Sequence, residues 1–309
     1  MTITPHPAIE QWVADLHRRG KSRNTITNYR RGLLHFSRWS AQTYGQPFDP
    51  AAIIPRDVAD WKAHQQTVEK AAPNTINVRL GAVSRFFAWA VKQGLARENP
   101  AAEISSLRLP PRQPKSLDKV YVRRLLRHIS KGGQLRDLAI AELLLGAGLR
   151  VSELLALQSG DVTLNDRSGQ VVIRRGKGAV HRSVPLTTAV RRALQAYLAG
   201  PAFQAWQRDH PDMAEDLPLW VGERGALKDR SGIFLLLRKY ARLAGLDPDQ
   251  LSPHILRHTF ATRYLAANPG DFRGLADLLG HASINTVMIY TVPSEDDLAD
   301  RMEAAEHQF

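Results

Sequence analysis

"SSLRLPPRQPKSLDK", residues 105–119, carries three prolines and four basic residues. Proline lacks a backbone N–H and clashes with the preceding turn, so a helix reaching this stretch ends there. The patterning on both sides is helical, and the stretch therefore reads as a linker: one domain over residues 1–107, a linker over 108–116, and a second domain over 117–309. A chain of 309 residues with 43% hydrophobic content can bury a core in each.

Ahead of the linker, "NTITNYRRGLLHFSRWS" places Ile26, Tyr29, Leu33 and Phe36 at steps of three and four, the spacing of an amphipathic helix. "PNTINVRLGAVSRFFAWAV" repeats it with Ile76, Leu80, Val83 and Phe87. Each pattern opens at an Asn-Thr pair suited to N-capping. A small all-helical domain follows. Residues 1–107 hold 14 Lys+Arg against 8 Asp+Glu, so the positive charge is spread through the chain and not confined to a tail. Arg23, Arg30, Arg31, Arg79 and Arg85 fall off the apolar stripes, where they could meet phosphates; a solvated helix face is the competing account of each.

Composition narrows the partners. The balance of 42 Lys+Arg against 30 Asp+Glu gives +12 and a pI near 10.2, which attracts nucleic acid or an anionic membrane surface. The sequence "MTITPHPAIEQWVADLHRRG" has no apolar signal core, and no run approaches the roughly 18 apolar residues of a membrane span. Nucleic acid is the better polyanion. With no cysteine, a disulfide, a thiolate zinc site and a cysteine nucleophile are excluded together. The expected location is the cytoplasm, whose reducing conditions suit such a chain.

Past the linker, residues 117–145 read as helices ending in "LLLGAGLRVSELLAL". Gly146 and Gly148 break one helix and Ser152 caps the next, which leaves Arg150 in a turn at a helix N-terminus, a place that favours anions. Glu153, three residues on, can hold its guanidinium. "DVTLNDRSGQVVIRRGKGAVHRSVPL", residues 161–186, alternates β-branched runs with turn-like segments and is the one clear antiparallel sheet, with Lys177 at a hairpin tip. "SPHILRHTFATRYLA" starts a helix at Ser252-Pro253 that shows His254 and Arg257 on one face, with His258 pointing elsewhere. "LLGHASINTVMIYT" then places His281 nine residues ahead of Tyr290. Taken singly, each of these residues has a bland account as a core residue, a salt bridge or a solvated tip.

Taken in order they are Arg150, Lys177, His-x-x-Arg (His254, Arg257), His281 and Tyr290. This order resembles the tyrosine recombinases, or phage integrase family, and the compact Xer-like members above all. "AGLRVSELLAL", "RRGKGAVHRSVPL", "HILRHTFAT" and "LLGHASINTVMIYT" carry the resemblance in the second domain. "NTITNYRRGLLHF" and "NTINVRLGAVSRFFAWA" resemble the family's core-binding domain, so nearly the whole chain is covered. The resemblance implies a mainly α fold with a small antiparallel β-sheet (α+β): a helical, SAM-like core-binding domain and a catalytic domain that together form a clamp around DNA.

The resemblance also implies a chemistry. The Tyr290 phenol attacks a DNA phosphodiester, giving a 3′-phosphotyrosyl link and a free 5′-hydroxyl, so the bond energy is kept without ATP. Arg150 and Arg257 suit the nonbridging oxygens as charge develops there. His254 is the candidate base for a phenol whose ordinary pKa is about 10. His281 would hydrogen-bond the phosphate, Lys177 would protonate the 5′-oxygen, and Glu153 would orient its neighbours. No metal or other cofactor is expected, since the cations supply the charge and no carboxylate cluster suits magnesium.

Expected partners are double-stranded DNA with a specific recombination site and three further copies of the chain, a homo-tetramer resolving a Holliday junction; a second recombinase or accessory protein stays open. No membrane is expected. The tail "SEDDLADRMEAAEHQF" carries six acids against one arginine, which disfavours DNA. Over residues 295–309 it either docks on a neighbouring subunit, as in the family, or covers its own domain. Only about twenty residues precede the first helical pattern of the core-binding domain, so a separate arm-site-binding domain is not expected. "GPAFQAWQRDHPDMAEDLPLW", residues 200–220, looks least family-like. Two other functions remain beside recombination: a type IB topoisomerase-like relaxation of DNA, and a noncatalytic DNA-binding accessory protein of the same fold.

Overall fold

The computed structural model describes residues 6–109, 116–174, 182–222, 225–227 and 229–280. It divides into two compact units, Met1–Arg112 and Gln113–Phe309. Among the described residues no helix is long and apolar enough to cross a membrane.

The first unit is helical: α1 (Pro7–Arg18), α2 (Arg23–Tyr44), α3 (Pro55–Thr67) and α4 (Pro73–Lys92). Ile26, Leu33 and Phe36 of α2 and Ile76, Leu80, Val83 and Phe87 of α4 are all buried, as their spacing predicts. The core is aromatic, with Phe36 edge-on to Trp61 at 5.0 Å and Phe86 edge-on to Phe87 at 5.2 Å. Gly32 lets α2 and α4 approach, since a Cβ there would lie 3.1 Å from that of Ala82. The Asn-Thr caps are a correction. Ser22 caps α2, its Oγ accepting from the Thr25 amide at 3.2 Å, and α4 starts on Pro73 with Ala72 before it. Both Asn-Thr pairs lie inside a first turn, because Ser and N1 proline stand ahead of them. Beyond α4, the Asn77 side chain accepts from the Leu107 amide (2.7 Å) and donates to its carbonyl (2.8 Å), which ties residue 107 to this unit.

The second unit runs α5 (Lys119–Lys131), α6 (Leu135–Ala147), α7 (Val151–Leu155), β1 (Val162–Leu164), β2 (Gly169–Ile173), β3 (Arg182–Pro185), α8 (Thr188–Leu198), α9 (Pro201–Asp209), β4 (Val221–Gly222), β5 (Gly225–Ala226), α10 (Arg230–Leu243), α11 (Pro253–Ala267) and α12 (Phe272–Leu279). Helix α6 is its axis: Ala139, Ile140, Ala141, Leu143, Leu144, Leu145 and Ala147 are buried, with α5, α8 and α11 packed around it. Gly146 does not break this helix, contrary to the sequence reading. It lies inside α6 where a Cβ would run into Val190 of α8, and the helix ends at Gly148, whose φ of +61° is the left-handed C-cap. Ser152 is not a cap either; it sits within α7, and Arg150 holds the N-cap position.

Strands β1, β2 and β3 pair antiparallel in that order, with Val171 opposite Val184 and Ile173 opposite Arg182. Val171, Ile173 and Val184 turn to the core. A second, two-stranded ladder of β4 and β5 was not foreseen; at two residues per strand it carries no alternation to read. Residues 200–220 acquire a structural account: they form α9 and a 3-10 turn, then drive Leu217, Leu219 and Trp220 into the core. Trp220 Nε1 donates to the Leu154 carbonyl at 2.7 Å, which buttresses α7 next to Glu153.

Candidate active site

Helix α7 is a single short turn, so its dipole is a weak source of positive potential, and side chains supply the charge instead. Glu153 is their centre. Its side chain is 8% exposed, and three arginines from three elements meet it. Arg150 approaches from the α7 N-cap, its amide donating to Oε2 at 2.9 Å and Nη1 to Oε1 at 2.7 Å. Arg182 of β3 forks onto both oxygens, Nη1 to Oε1 at 3.0 Å and Nη2 to Oε2 at 2.7 Å. Arg257 of α11 lies with Nη1 3.8 Å from Oε2.

The same guanidiniums satisfy the C-terminal carbonyls of α12, which a helix leaves without partners. Arg182 Nε donates to Leu278 O at 2.8 Å and Arg257 Nη2 to Leu279 O at 2.9 Å. Arg150 reaches Leu279 O and Gly280 O more loosely, at 3.4 and 3.5 Å. Arg257 Nη1 also donates to Gly148 O at 2.7 Å, so the left-handed cap of α6 receives the charge that α11 carries in. Three cations against one carboxylate leave a formal surplus of two positive charges. Arg150 is the solvent-facing member, its side chain 34% exposed against 3% for Arg257.

Burial pushes the Glu153 carboxyl up, but the hydrogen bond from Arg182, that from the Arg150 amide, the Arg182 charge and the hydrogen bond from the Arg150 side chain outweigh it and hold the pKa at about 2 against an ordinary 4.5. A depressed carboxylate contributes stability that is present above pH 4.5 and is lost as pH falls toward 2, here on the order of 3 kcal/mol. Urea unfolding followed from pH 6 down to pH 3 should show about 2 kcal/mol of that loss, the rest going only as pH falls through 2. It should be absent in Glu153→Gln, and a Gln variant with the wild-type acid slope would deny Glu153 this role.

Helix α11 starts as its sequence predicts, with Ser252 Oγ accepting from the Ile255 amide at 3.3 Å and Pro253 at the first position. His254 and Arg257 are both on its opening turns. His258 is a correction: it does not point elsewhere, because four residues make just over one turn, and its Nε2 lies 2.9 Å from Nε2 of His254 with the rings edge to face. As a hydrogen bond this contact needs one nitrogen to donate and the other to accept, which the ring tautomers decide. Lys177, His281, Tyr290 and the segment 295–309 lie outside the described residues. Among the described residues no three His, Cys, Asp or Glu side chains are grouped to hold a metal.

Arg182 is the site residue that the sequence reading missed. Its signal was alternation: in β3 it shares a face with Val184, which is buried, and an arginine on the core-facing side of a strand requires an acid partner.

In the first unit Arg23, Arg30 and Arg31 of α2 line a concavity of about 600 Å³ together with Arg38 and His17, neither of which was singled out. Arg30 is paired there with Glu10 of α1, through Nη2 at 2.7 Å and Nε at 3.1 Å. Arg79 donates to Gln65 and Glu69, each at 3.0 Å, and so bridges α4 to the end of α3. Arg85 lies over the Tyr29 ring at 5.3 Å and donates to Gly81 O. Arg23 and Arg31 are exposed and form no ion pair among the described residues, whereas Arg79 is engaged within the fold.

The phage integrase family model matches residues 115–296, and that of the phage integrase N-terminal SAM-like domain matches residues 9–94. The chain is 35% identical over 285 residues to tyrosine recombinase XerD of Xanthomonas campestris pv. campestris, covering 90% of this chain and 85% of that one. To tyrosine recombinase XerC of Neisseria gonorrhoeae it is 33% identical over 297 residues, covering 94% and 92%. Among solved structures, XerH site-specific recombinase bound to a palindromic difH substrate in a post-cleavage complex is similar at a TM-score of 0.71 and 21% identity, covering 95% of this chain and 84% of that one. A lambda integrase dimer bound to a COC′ core site gives 0.67 and 18%, covering 92% and 94%. These last two likenesses are likenesses of fold.

Proposed function

The chain belongs to the phage integrase family and is a tyrosine site-specific recombinase, and from that premise we propose that Arg150, Lys177, His254, Arg257, His281 and Tyr290 form one scissile-phosphate site. The observation that supports this most is the convergence of Arg150, Arg182 and Arg257 on one buried carboxylate, which leaves a surplus of positive charge with Arg150 facing solvent. A phosphodiester in transfer needs such a clamp, fixed before the charge develops.

In this reading the Tyr290 oxygen attacks phosphorus while His254 takes its proton. The bond to the 5′-oxygen breaks, and Lys177 gives that oxygen a proton. The 5′-hydroxyl of a second strand then reverses the same steps, releasing Tyr290 and passing through a Holliday junction. Arg150 and Arg257 hold the nonbridging oxygens, with His281 beside them and Glu153 orienting the arginines.

Residues 1–107 serve as the core-binding DNA-binding domain, 108–116 as the linker and 117–309 as the catalytic domain, whose segment 295–309 is exchanged between subunits. Arg23, Arg30, Arg31 and Arg85 contact backbone phosphates, with Arg79 contributing through the α3–α4 network. The working assembly is a homo-tetramer on two synapsed duplexes in the cytoplasm, alone or with a second recombinase or accessory protein.

The test is to incubate the protein with sheared DNA of its host, denature in detergent and sequence what is covalently held. Adducts concentrated at one sequence are the expected result, and they deliver the target site. Adducts scattered without sequence preference would point instead to relaxation, and their complete absence, with a nicked version of any sequence it binds included, would leave only a binding protein.

A further inference from the structure

We propose that Arg182 is a positioning residue of the recombination chemistry: it holds Glu153 so that the charges of Arg150 and Arg257 stay available to the scissile phosphate. This rests on the phosphate site described above and extends it to a side chain that touches no substrate.

The fork of Arg182 is spent internally. Nη1 and Nη2 each take one oxygen of Glu153, at 3.0 and 2.7 Å, while Nε donates to Leu278 O at 2.8 Å. A planar bidentate pair fixes the rotation of the carboxylate as well as its place. In that orientation only Oε1 is offered to the Arg150 guanidinium, and Oε2 is taken by the Arg150 amide and Arg182. Without Arg182 the carboxylate can turn and present both oxygens to Arg150, which would form the bidentate pair itself. The guanidinium would then be held by an anion of the protein and neutralised where an anion of the substrate has to sit. The surplus charge of the cluster would fall from two to one.

The packing seats the Arg182 guanidinium closely against Gly280. A Cβ on Gly280 would lie 2.6 Å from its Nη1 and 3.1 Å from its Cζ, so the guanidinium rests on the bare backbone of a residue with φ +62°. That residue stands immediately before His281. Arg182 itself opens β3, five residues after Lys177. One side chain therefore joins the turn bearing Arg150 to the end of α12.

The experiment compares wild type, Arg182→Met and Arg182→Lys in single-turnover cleavage of a nicked duplex carrying the captured target site, at saturating protein. Each is run on an ordinary scissile phosphate and on a methylphosphonate, in which methyl replaces one nonbridging oxygen and removes the charge. Arg182→Met should bind DNA within about twofold of wild type and cleave the phosphodiester about tenfold to a hundredfold more slowly. On the methylphosphonate the gap should close toward one, because a neutral centre does not depend on the clamp. Arg182→Lys, which keeps the charge without the fork, should fall between, and it carries the same comparison should the Met variant fail to fold. An equal penalty on both substrates would make Arg182 merely structural, and no penalty on either would remove it from the mechanism. A wild type that cleaves neither substrate would overturn the phosphate-site reading itself, and this inference with it.

Discussion

Tyr290→Phe will bind target DNA within about twofold of wild type and form no covalent adduct. Affinity in such complexes is spread over many backbone phosphates, so the loss of one hydroxyl is a small part of it. The adduct has no such redundancy, since a phenylalanine ring offers no oxygen to phosphorus. The ordinary pKa of about 10 means that ionising the phenol at pH 7 costs about 4 kcal/mol, and in the proposed site the surplus positive charge around Glu153 would offset part of it. The assay is a denaturing gel with label on either side of the nick. Label on the 5′ side of the scissile phosphate should migrate with the protein, and the 3′ fragment should carry a free 5′-hydroxyl open to phosphorylation. An adduct that survives the substitution would remove Tyr290 as the nucleophile. Loss of binding in step with cleavage would assign it to recognition.

What the sequence disclosed about the site follows from distance along the chain. Arg150 and Glu153 are three residues apart, and Ser252, Pro253, His254 and Arg257 sit within one helix opening, so local spacing was enough to place each pair. Arg182 meets Glu153 across 29 residues and the whole of two strands, a pairing that no local period records. Helix α12 was equally silent about its part: that its terminal carbonyls accept from three guanidiniums depends on how α12, β3 and α11 pack, and carbonyls carry no signature in a sequence. His258 was legible and misread, because i and i+4 share a helix face as closely as i and i+3 do. In the first unit the stripes of α2 and α4 were plain, but which arginines stay outward was not. Arg30 and Arg79 look alike as off-stripe residues, and only the fold brings Glu10 to one and Glu69 to the other.

Arg150→Ala and Arg257→Ala will both lose cleavage by about a hundredfold to a thousandfold, the usual range for removing one donor to a developing anion, and they will differ in stability. The side chain of Arg150 is about a third exposed, and when it is removed Glu153 keeps the Arg182 fork, so its melting temperature should move little. Arg257 is 3% exposed, and its loss strips the buried carbonyls of Gly148 and Leu279 of donors at 2.7 and 2.9 Å as well as a charge near Glu153. Breaking a buried charged arrangement from one side costs about 3–5 kcal/mol, so Arg257→Ala should melt well below Arg150→Ala. Arg257→Lys separates the two effects. It keeps a charge and part of the packing but lacks the fork, and should recover stability before it recovers rate. Cleavage has to be measured in single turnover on nicked DNA at saturating protein, beside binding by the same variants. If both arginines stabilise the transition state, rate falls far more than affinity, since their contacts strengthen as charge moves onto the nonbridging oxygens. A parallel fall of rate and affinity in Arg150→Ala would instead mean that it grips the phosphate equally before and during the reaction, and the clamp would then be a binding device and not a catalytic one.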